Sequence, residues 1–301
     1  MDYAAVLPKQ NIQNIVSQWI SEDMPTFDIG GLVVGSEPKC AHLYLKSPGV
    51  FAGKPFMDAI FEELGCTIQW MTDVAREGNY VSNASSQNKV LLAVVRGPAN
   101  ALLRGERTAL NTLSRCSGVA TQSYLSKQRI AQTHPDWKGA IAGTRKTTPG
   151  SFRIVEKYGL LVGGVNTHRL DLSQMTMLKD NHIWSAGSIT RAVQNAKNAA
   201  GFSTKIEVEC QNLEEALEAC EAGADIVMLD NYTPDKLKVD AKVIKEHEGC
   251  KFKHVIIEAS GGITFDTMTQ YISDHVDILS RGDLTQGYSC LDYSLKIQKE
   301  G

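Results

Sequence analysis

The sequence predicts an α/β protein of two domains: an N-terminal domain of mixed helices and strands at residues 1–124, and a (β/α) barrel-like domain at residues 125–285. The length of 301 residues suggests about two domains. The first third of the chain has no repeating unit. In the second part, strands that end at Glu209, Asp230, Glu258 and Ser280 lie 21, 28 and 22 residues apart, and a helical pattern fills each gap. This alternation is typical of a parallel sheet with short strands.

The elements of the N-terminal domain follow from hydrophobic periodicity and from residues that end helices. The apolar residues of Asn11–Glu22 recur every three or four positions, which predicts an amphipathic helix. Gly65 ends a later helix. Gly105 and Gly118 interrupt a long helical stretch, so we predict two helices there. The predicted elements are a helix at Asn11–Glu22, a strand at His42–Leu45, a helix at Phe56–Leu64, strands at Ile68–Met71 and Lys89–Arg96, and the helical stretch Ala99–Gln132.

The barrel-like domain is predicted from its later strands and helices and is then extended backwards. A helix at Leu213–Ala222 ends at Gly223, and Thr233–Pro234 begins the next helix with proline at its first position. A third helix is predicted at Thr264–Ile272. Neither a G-x-G-x-x-G turn after a strand nor a G-x-x-x-x-G-K-[ST] loop occurs, which disfavours a Rossmann or P-loop site. The predicted strands are Ala140–Gly143, Met175–Leu178, Lys205–Glu209, Asp225–Asp230, His254–Glu258 and Val276–Ser280.

Charge and composition exclude several classes of protein. Hydrophobic residues make up 43% of the chain and charged residues 22%, as in soluble globular proteins. Lys and Arg total 31 against 34 Asp and Glu, which argues against a general nucleic-acid binder. Residues 104–191 nevertheless hold 13 Lys and Arg against 5 acidic residues, a local charge of +8. This stretch suits a small polyanion, and chance clustering on a solvated face is the alternative.

The compartment is predicted from cysteine usage and from targeting signals. The seven cysteines are scattered and show no zinc-ligand spacing. Residues 1–10 lack the apolar core of a secretory signal, and no apolar run approaches the length of a membrane span. We therefore expect a cytoplasmic protein, with access to the nucleus also open.

Polar residues follow six successive predicted strands. In (β/α) barrels the active site lies at the C-terminal ends of the strands. Any strand end can simply be the point where the chain meets water, but six in succession favour a functional mouth. These segments are 144–146, 179–182, Glu209, 230–231, 258–262 and 280–282.

The residue types at these ends indicate the chemistry. Arginine and lysine suit carboxylates and phosphates, and His168 lies beside Arg169. Glu209 and Asp230, on neighbouring strands, suit Mg²⁺, with ion pairs to nearby Lys or Arg as the alternative for either residue alone. Two glycine-containing turns, Ser260–Gly262 and the one at Gly282, suit a phosphate cup, or are ordinary tight turns.

Taken together, these residues resemble the quinolinate phosphoribosyltransferases, also called carboxylating nicotinate-nucleotide diphosphorylases. The matching segments span most of the chain and follow the order of the family. They are GERTALN (105–111), TRKTTPG (144–150), EKYGLLVGG (156–164), THR (167–169), MLKDNH (177–182), EVE (207–209), MLDN (228–231), EASGGI (258–263) and LDYSLKI (291–297).

The resemblance implies the reaction and the fold. Quinolinate attacks C1 of phosphoribosyl pyrophosphate (PRPP) through its ring nitrogen, and pyrophosphate leaves. The 2-carboxylate is lost as CO₂ and nicotinate mononucleotide results, a step of de novo NAD biosynthesis. The implied fold is an α/β-sandwich N-terminal domain, with residues 286–301 packing back on it, followed by a partly open α/β barrel (the type II phosphoribosyltransferase fold).

The resemblance also implies the partners and the role of each site residue. It implies small-molecule substrates, neither nucleic acid nor membrane, and a homodimer whose site is completed across the interface, or a hexamer formed as a trimer of dimers. Lys146, Lys179, Glu209 and Asp230 are the implied catalytic residues, and the last two also hold Mg²⁺, directly or through water. By substrate, the implied roles are Arg107 from the partner subunit; Arg145, His168, Arg169 and Lys179 at the pyridine carboxylates; Lys146 between the two substrates; Glu209 and Asp230 at the ribose; and Ser260, Gly261, Gly262 and Gly282 at the 5′-phosphate.

The sequence departs from the family in two places. Many members read EDxGxGDxT near the N-terminus, where this chain has residues 22–31, EDMPTFDIGG. After the last strand, Arg281 and Asp283 place charges where many members are apolar. The second departure adjoins the predicted phosphate cup or a subunit contact, and the sequence leaves its effect open.

Three other functions remain open at this stage. A related phosphoribosyltransferase for another acid would keep Glu209, Asp230 and the cup without the full set of Arg107, Arg145 and Arg169. A non-catalytic binder of a phosphorylated metabolite would have no use for paired carboxylates at metal-ligand positions. An aldolase-type barrel would use Lys179 as a Schiff base, which borohydride would trap.

Overall fold

The computed structural model describes residues 2–299, which form two compact units. The first unit comprises residues 2–124, 148–164 and 287–299, and the second comprises residues 125–147 and 165–286. Residues 148–164, assigned to the second domain from sequence, therefore lie in the first unit. Of the C-terminal segment 286–301 predicted to pack on the first domain, residues 287–299 lie in the first unit and Gln286 lies in the second unit. Residues 300 and 301 lie outside the described residues.

Helices and strands follow one another along the whole described chain. The strands are β1 (Pro38–Leu45), β2 (Gly49–Val50), β3 (Thr67–Trp70), β4 (Tyr80–Val81), β5 (Val90–Pro98), β6 (Ala140–Ala142), β7 (Thr176–Leu178), β8 (Ile206–Cys210), β9 (Ile226–Asp230), β10 (Ile256–Ser260), β11 (Ile278–Ser280) and β12 (Tyr293–Ile297). The helices are α1 (Lys9–Asp23), α2 (Ile29–Val34), α3 (Lys54–Glu63), α4 (Ala99–Thr133), α5 (Arg153–Val162), α6 (Asp180–Ala186), α7 (Ile189–Ala200), α8 (Leu213–Ala222), α9 (Pro234–Cys250) and α10 (Asp283–Gln286).

The first unit is built on a four-stranded antiparallel sheet in the order β12–β1–β5–β3. In β1, Ala41, Leu43 and Leu45 are fully buried while the residues between them are partly exposed. This alternation places one face of the strand on the core, as the two-residue period of a strand requires. Phe56 and Ile60 of α3 belong to the same core.

Helix α4 runs without interruption for 35 residues, so the predicted break into two helices is wrong. The two glycines allow close packing rather than ending the helix. A Cβ on Gly105 would lie 2.7 Å from the ring of Phe61, and one on Gly118 would lie 2.5 Å from the carbonyl oxygen of Ser289. Within residues 2–299 no helix, α4 included, is both long and apolar enough to cross a membrane.

The second unit is built on a six-stranded parallel sheet in the order β6–β11–β10–β9–β8–β7. The edge strands β6 and β7 do not pair with each other in the described chain, so the barrel is partly open. The α/β fold class predicted from sequence is confirmed. Because the strands are parallel, their C-terminal ends share one edge of the sheet.

The helix predicted at Thr264–Ile272 is wrong, since only a short 3-10 helix forms there, at Met268–Tyr271. The backbone N–H of Thr264 donates to Oγ1 of Thr267 at 3.0 Å, and the N–H of Thr267 donates to Oγ1 of Thr264 at 3.3 Å. These side-chain bonds to backbone compete with the hydrogen bonds of a regular first helical turn.

Candidate active site

A cavity of about 580 Å³ lies at the C-terminal ends of the parallel strands in the second unit. Its size falls in the range of sites for small molecules. All the site residues predicted from sequence line this cavity, with the exception of Arg107. They are Arg145, Lys146, His168, Arg169, Lys179, Glu209, Asp230, Ser260, Gly261, Gly262 and Gly282.

Arg107 lies on α4 in the first unit and is exposed to solvent. Arg145 and Lys146 follow β6, where Thr144 Oγ1 accepts a hydrogen bond of 3.1 Å from the Lys146 N–H. Both side chains are exposed at the mouth of the cavity. Two adjacent cations are therefore presented by one turn that the Thr144 hydroxyl fixes.

The guanidinium group of Arg169 lies close enough to Arg145 for the two positive charges to interact. Arg169 is buried, with 8% of its surface exposed. Burial and the charge of Arg145 both lower the pKa of Arg169 below its usual range, while Glu207 and Glu258 act in the opposite direction. Two guanidinium groups that repel each other form a site prepared for an anion with two acidic groups.

Lys179 and Glu209 form an ion pair inside the cavity, between Nζ and Oε2. Lys179 directly precedes helix α6 and Glu209 is the penultimate residue of β8. The ion pair that the sequence left open for Glu209 therefore exists, and it belongs to the cavity. Asp230 ends β9, and its Oδ2 accepts a hydrogen bond of 2.6 Å from Asn231 Nδ2.

His168 is held against two buried carboxyl groups beneath the cavity. Its Nε2 lies 3.3 Å from Glu258 Oε1 and 4.0 Å from Glu207 Oε2. Its backbone φ is +56°, in the left-handed region that residues other than glycine rarely adopt. Burial and the neighbouring charge of Glu258 raise the pKa of Glu207 far above its usual range. This shift favours the protonated, neutral form of the Glu207 carboxyl group.

The turn at Ser260–Gly262 requires glycine at two consecutive positions. Gly261 and Gly262 have φ of +94° and +64°. A Cβ on Gly261 would lie 2.6 Å from the backbone nitrogen of Asn231, so the two strand ends could not approach as they do. This crowding, together with the positive φ values, leaves a bare backbone facing the cavity. Gly282 lies on the next strand end, where a Cβ would meet Cδ of Lys146 at 3.3 Å.

Two carboxylates of the cavity fit a hard divalent cation. Glu209 and Asp230 come from the neighbouring strands β8 and β9, and both line the cavity. Carboxylate oxygens, together with water and substrate oxygens, are the ligands that Mg²⁺ usually takes in proteins. The trio His168, Glu207 and Glu258 also has ligand atoms within 4.8 Å of one another, but it is buried under the cavity floor and contacts it through Glu258 and His168.

The sequence predicts no individual role for several residues of the cavity and its floor, although Thr144, Asn231, Glu258 and Ser280 lie in segments predicted at the mouth. Glu207 and Glu258 were visible as acids within or at the end of apolar strands, a position that calls for a partner. Asp283 was noted as a charge after the last strand, without a role. The other lining residues that had no predicted role are Thr144, Met177, Met228, Asn231, Ile263, Thr264, Ser280 and Gln286.

Comparison with known proteins gives consistent matches along the chain. A family model described as "Quinolinate phosphoribosyl transferase, N-terminal domain" matches residues 26–117, and the corresponding C-terminal domain model matches residues 119–296. The chain is similar to the "Nicotinate-nucleotide pyrophosphorylase [carboxylating]" of Dictyostelium discoideum, at 50% identity over 305 residues covering 100% of both chains. It is 48% identical over 294 residues to the Homo sapiens protein of the same name, covering 98% of this chain and 94% of that protein.

Solved structures agree with these sequence matches. A nicotinate-nucleotide pyrophosphorylase from Francisella tularensis superimposes with a TM-score of 0.84 at 29% identity, covering 97% of this chain and 98% of that chain. A structure from Streptococcus pyogenes superimposes with a TM-score of 0.84 at 30% identity, covering 97% of this chain and 99% of that chain. The similarity therefore extends over both units.

Proposed function

Because the chain belongs to the quinolinate phosphoribosyltransferase family, its reaction is the conversion of quinolinate and PRPP to nicotinate mononucleotide, pyrophosphate and CO₂, and we propose that the cavity of the second unit carries it out. The observation that supports this placement most strongly is the paired guanidinium groups, paired carboxylates and bare glycine turns within one cavity. Each of these groups suits a different part of the two anionic substrates.

Arg145 and Arg169 bind the two carboxylates of quinolinate. The planar fork of a guanidinium matches a carboxylate, and a dianion relieves the repulsion between the two groups. His168 and Lys179 add donors on the same side, and Glu258 orients the His168 ring through the 3.3 Å contact. Lys146, exposed at the mouth, lies between the pyridine and the sugar phosphate.

Glu209 and Asp230 bind the ribose hydroxyls of PRPP, and the turns at Ser260–Gly262 and at Gly282 receive its 5′-phosphate. Backbone N–H groups reach a phosphate closely only where side chains are absent. Glu209 and Asp230 also hold Mg²⁺, which when bound supplies charge neutralisation of the pyrophosphate. Lys146 and Lys179 stabilise negative charge on the leaving group as C1 becomes cationic.

Decarboxylation requires orientation rather than a dedicated base. Once the ring nitrogen is alkylated, the pyridinium withdraws electrons from C2. The C2–carboxylate bond then breaks, CO₂ leaves, and its electron pair remains on C2 beside the positive nitrogen. A proton subsequently adds to C2 from Lys146 or Lys179.

The test is turnover by the purified protein with quinolinate, PRPP and Mg²⁺. We expect nicotinate mononucleotide, pyrophosphate and CO₂ in equal amounts, loss of turnover with a chelator, and retained binding of quinolinate without metal. Turnover should also be lost in Lys146→Met. Lys127→Met serves as its control, because Lys127 is an exposed lysine of α4. Turnover of another acid in preference to quinolinate, or a borohydride-trapped adduct on Lys179, would contradict the proposal.

The proposal includes a homodimer in which Arg107 of each chain completes the site of the other, within a dimer or a hexamer of three dimers. The test mixes an Arg107→Ala chain with a Lys146→Ala chain. If Arg107 acts across the interface, each mixed dimer recovers one intact site, and an equal mixture should regain about one quarter of wild-type activity. If the mixture remains inactive, Arg107 does not act from the partner.

A cytoplasmic location completes the proposal. All seven cysteines are free thiols, as expected in a reducing compartment. A fluorescent fusion that co-localises with a secretory marker would contradict it.

A further inference from the structure

Arg281 is a fully buried arginine, with 0% of its surface exposed. It follows the last strand of the sheet, β11, and precedes Gly282. Arginine is almost never fully buried unless its charge is paired. The chain therefore carries a buried positive charge directly beside the turn that the proposed function assigns to the 5′-phosphate.

The guanidinium of Arg281 is bound to Asp283 through two parallel hydrogen bonds. Nε donates to Oδ1 at 3.0 Å and Nη2 donates to Oδ2 at 2.7 Å. The third nitrogen, Nη1, donates to Ser126 Oγ at 2.6 Å, and the group lies 5.9 Å from the centre of the Phe265 ring. This two-bond geometry fixes the Asp283 side chain in one orientation.

Asp283 lines the cavity together with Gly282, and about a third of its side chain is exposed. A carboxylate at this position would repel a phosphate on the neighbouring glycine turn. The Arg281 fork engages both of its oxygens, so that the pair is neutral as a whole.

The same turn is tied to Lys146. Thr285 Oγ1 donates to the Lys146 carbonyl oxygen at 2.7 Å, and Thr285 belongs to helix α10, which begins at Asp283. Cδ of Lys146 also packs over Gly282. Arg281 therefore fixes, through Asp283, the segment that places both the glycine turn and the backbone of Lys146.

We propose that Arg281 and Asp283 are a positioning pair that sets the affinity of the site for the phosphoribosyl substrate, by neutralising the Asp283 carboxylate and holding the Gly282 turn. The inference rests on the proposed function. It adds that this pair affects the affinity for PRPP and leaves the affinity for quinolinate nearly unchanged. Neither residue is a catalytic group, because Arg281 acts through Asp283 and Asp283 acts through the turn. A purely structural pair would stabilise the fold without distinguishing the two substrates.

The experiment compares KM for PRPP with KM for quinolinate in three variants and one control. Arg281→Met removes the positive charge and leaves Asp283 uncompensated, so KM for PRPP should rise about tenfold or more while KM for quinolinate changes by less than about threefold. Adding Asp283→Asn to Arg281→Met removes the repelling carboxylate and should restore most of the affinity for PRPP. Arg281→Lys keeps the charge without the fork and should give an intermediate value, even if Arg281→Met folds poorly.

Arg129→Met is the matched control. Arg129 also lies over the Phe265 ring, at 4.8 Å, and pairs with an aspartate, Asp266, at 3.3 Å, but it does not line the cavity. Both KM values should stay within about twofold of wild type, because an exposed ion pair contributes little.

The increase in melting temperature that PRPP produces provides a readout independent of turnover. It should shrink in Arg281→Met and return in the double variant. A wild-type protein that PRPP stabilises but that does not convert quinolinate would refute the proposed function alone. Equal rises in both KM values, or a double variant no better than Arg281→Met, would refute the positioning role.

Discussion

Substituting Arg145 by Met should weaken quinolinate binding without weakening the fold. Arg145 is exposed and lies near the buried Arg169, whose pKa it helps to lower. A charge-assisted hydrogen bond to a carboxylate contributes roughly 1.5–3 kcal/mol, and about 1.4 kcal/mol corresponds to a factor of ten. The value of kcat/KM for quinolinate should therefore fall by about one to two orders of magnitude. Removing the repulsion of Arg169 should leave the melting temperature unchanged or higher.

The assay combines steady-state kinetics, calorimetric titration with quinolinate, and thermal unfolding. Arg191→Met is the matched control, because Arg191 is an exposed arginine of the same unit whose Nη1 donates to the Ala186 carbonyl at 3.4 Å, outside the cavity. An Arg145→Met protein with wild-type affinity for quinolinate would refute the paired-guanidinium reasoning. A large drop in melting temperature would show that Arg145 supports the fold instead.

Two further predictions concern the buried acid of the first unit and the proton donor. Burial raises the pKa of Glu77 from 4.5 to about 7, although its Oε1 accepts hydrogen bonds from the N–H groups of Gly53 and Lys54. Between these pH values the folded protein therefore binds more protons than the unfolded chain, and its stability falls as pH rises through them. The free energy of unfolding of Glu77→Gln, measured by urea titration, should rise relative to wild type by up to about 3 kcal/mol between pH 4.5 and pH 8. A difference that stays constant over this pH range would contradict the assignment. For Lys146→Met and Lys179→Met, release of CO₂ and of pyrophosphate is followed separately. The lysine that protonates C2 should slow formation of nicotinate mononucleotide more than pyrophosphate release, whereas equal losses in both variants would exclude a proton-donor role.

The parallel sheet could be predicted because its signal is local and repeated. Each buried strand is followed within a few residues by a charged or glycine-containing turn, and such turns gave most of the cavity lining. The helix α8 was predicted with its observed bounds, Leu213–Ala222, because Gly223 marks its end; the structure adds Asn212 as the cap at its start. Local patterns therefore suffice where caps, periodicity and turns agree.

The errors arise where distant contacts decide the structure. Gly105 and Gly118 look like helix breakers until the side chains and backbone that approach them are known. Glu207 appears as an ordinary strand residue, and only the fold brings Glu258 and His168 to it, residues 51 and 39 positions away. The Arg281–Asp283 pair was visible as two charges, but its burial was not.

The position of strand β12 affects how the protein folds during synthesis and whether it can be cut into separate domains. Strand β12 is the last strand of the described residues 2–299 and an edge of the first sheet, where Ala41 lies opposite Ile297. The chain also passes between the two units near residues 124, 147, 164 and 286. No single cut yields either unit as a continuous fragment. Residues 293–297 must leave the ribosome before they can pair with β1 and complete this sheet, and pairing across such a sequence distance closes slowly. A nonsense mutation at any codon between those of Gln286 and Tyr293 would remove an edge of the first sheet while leaving every cavity residue encoded.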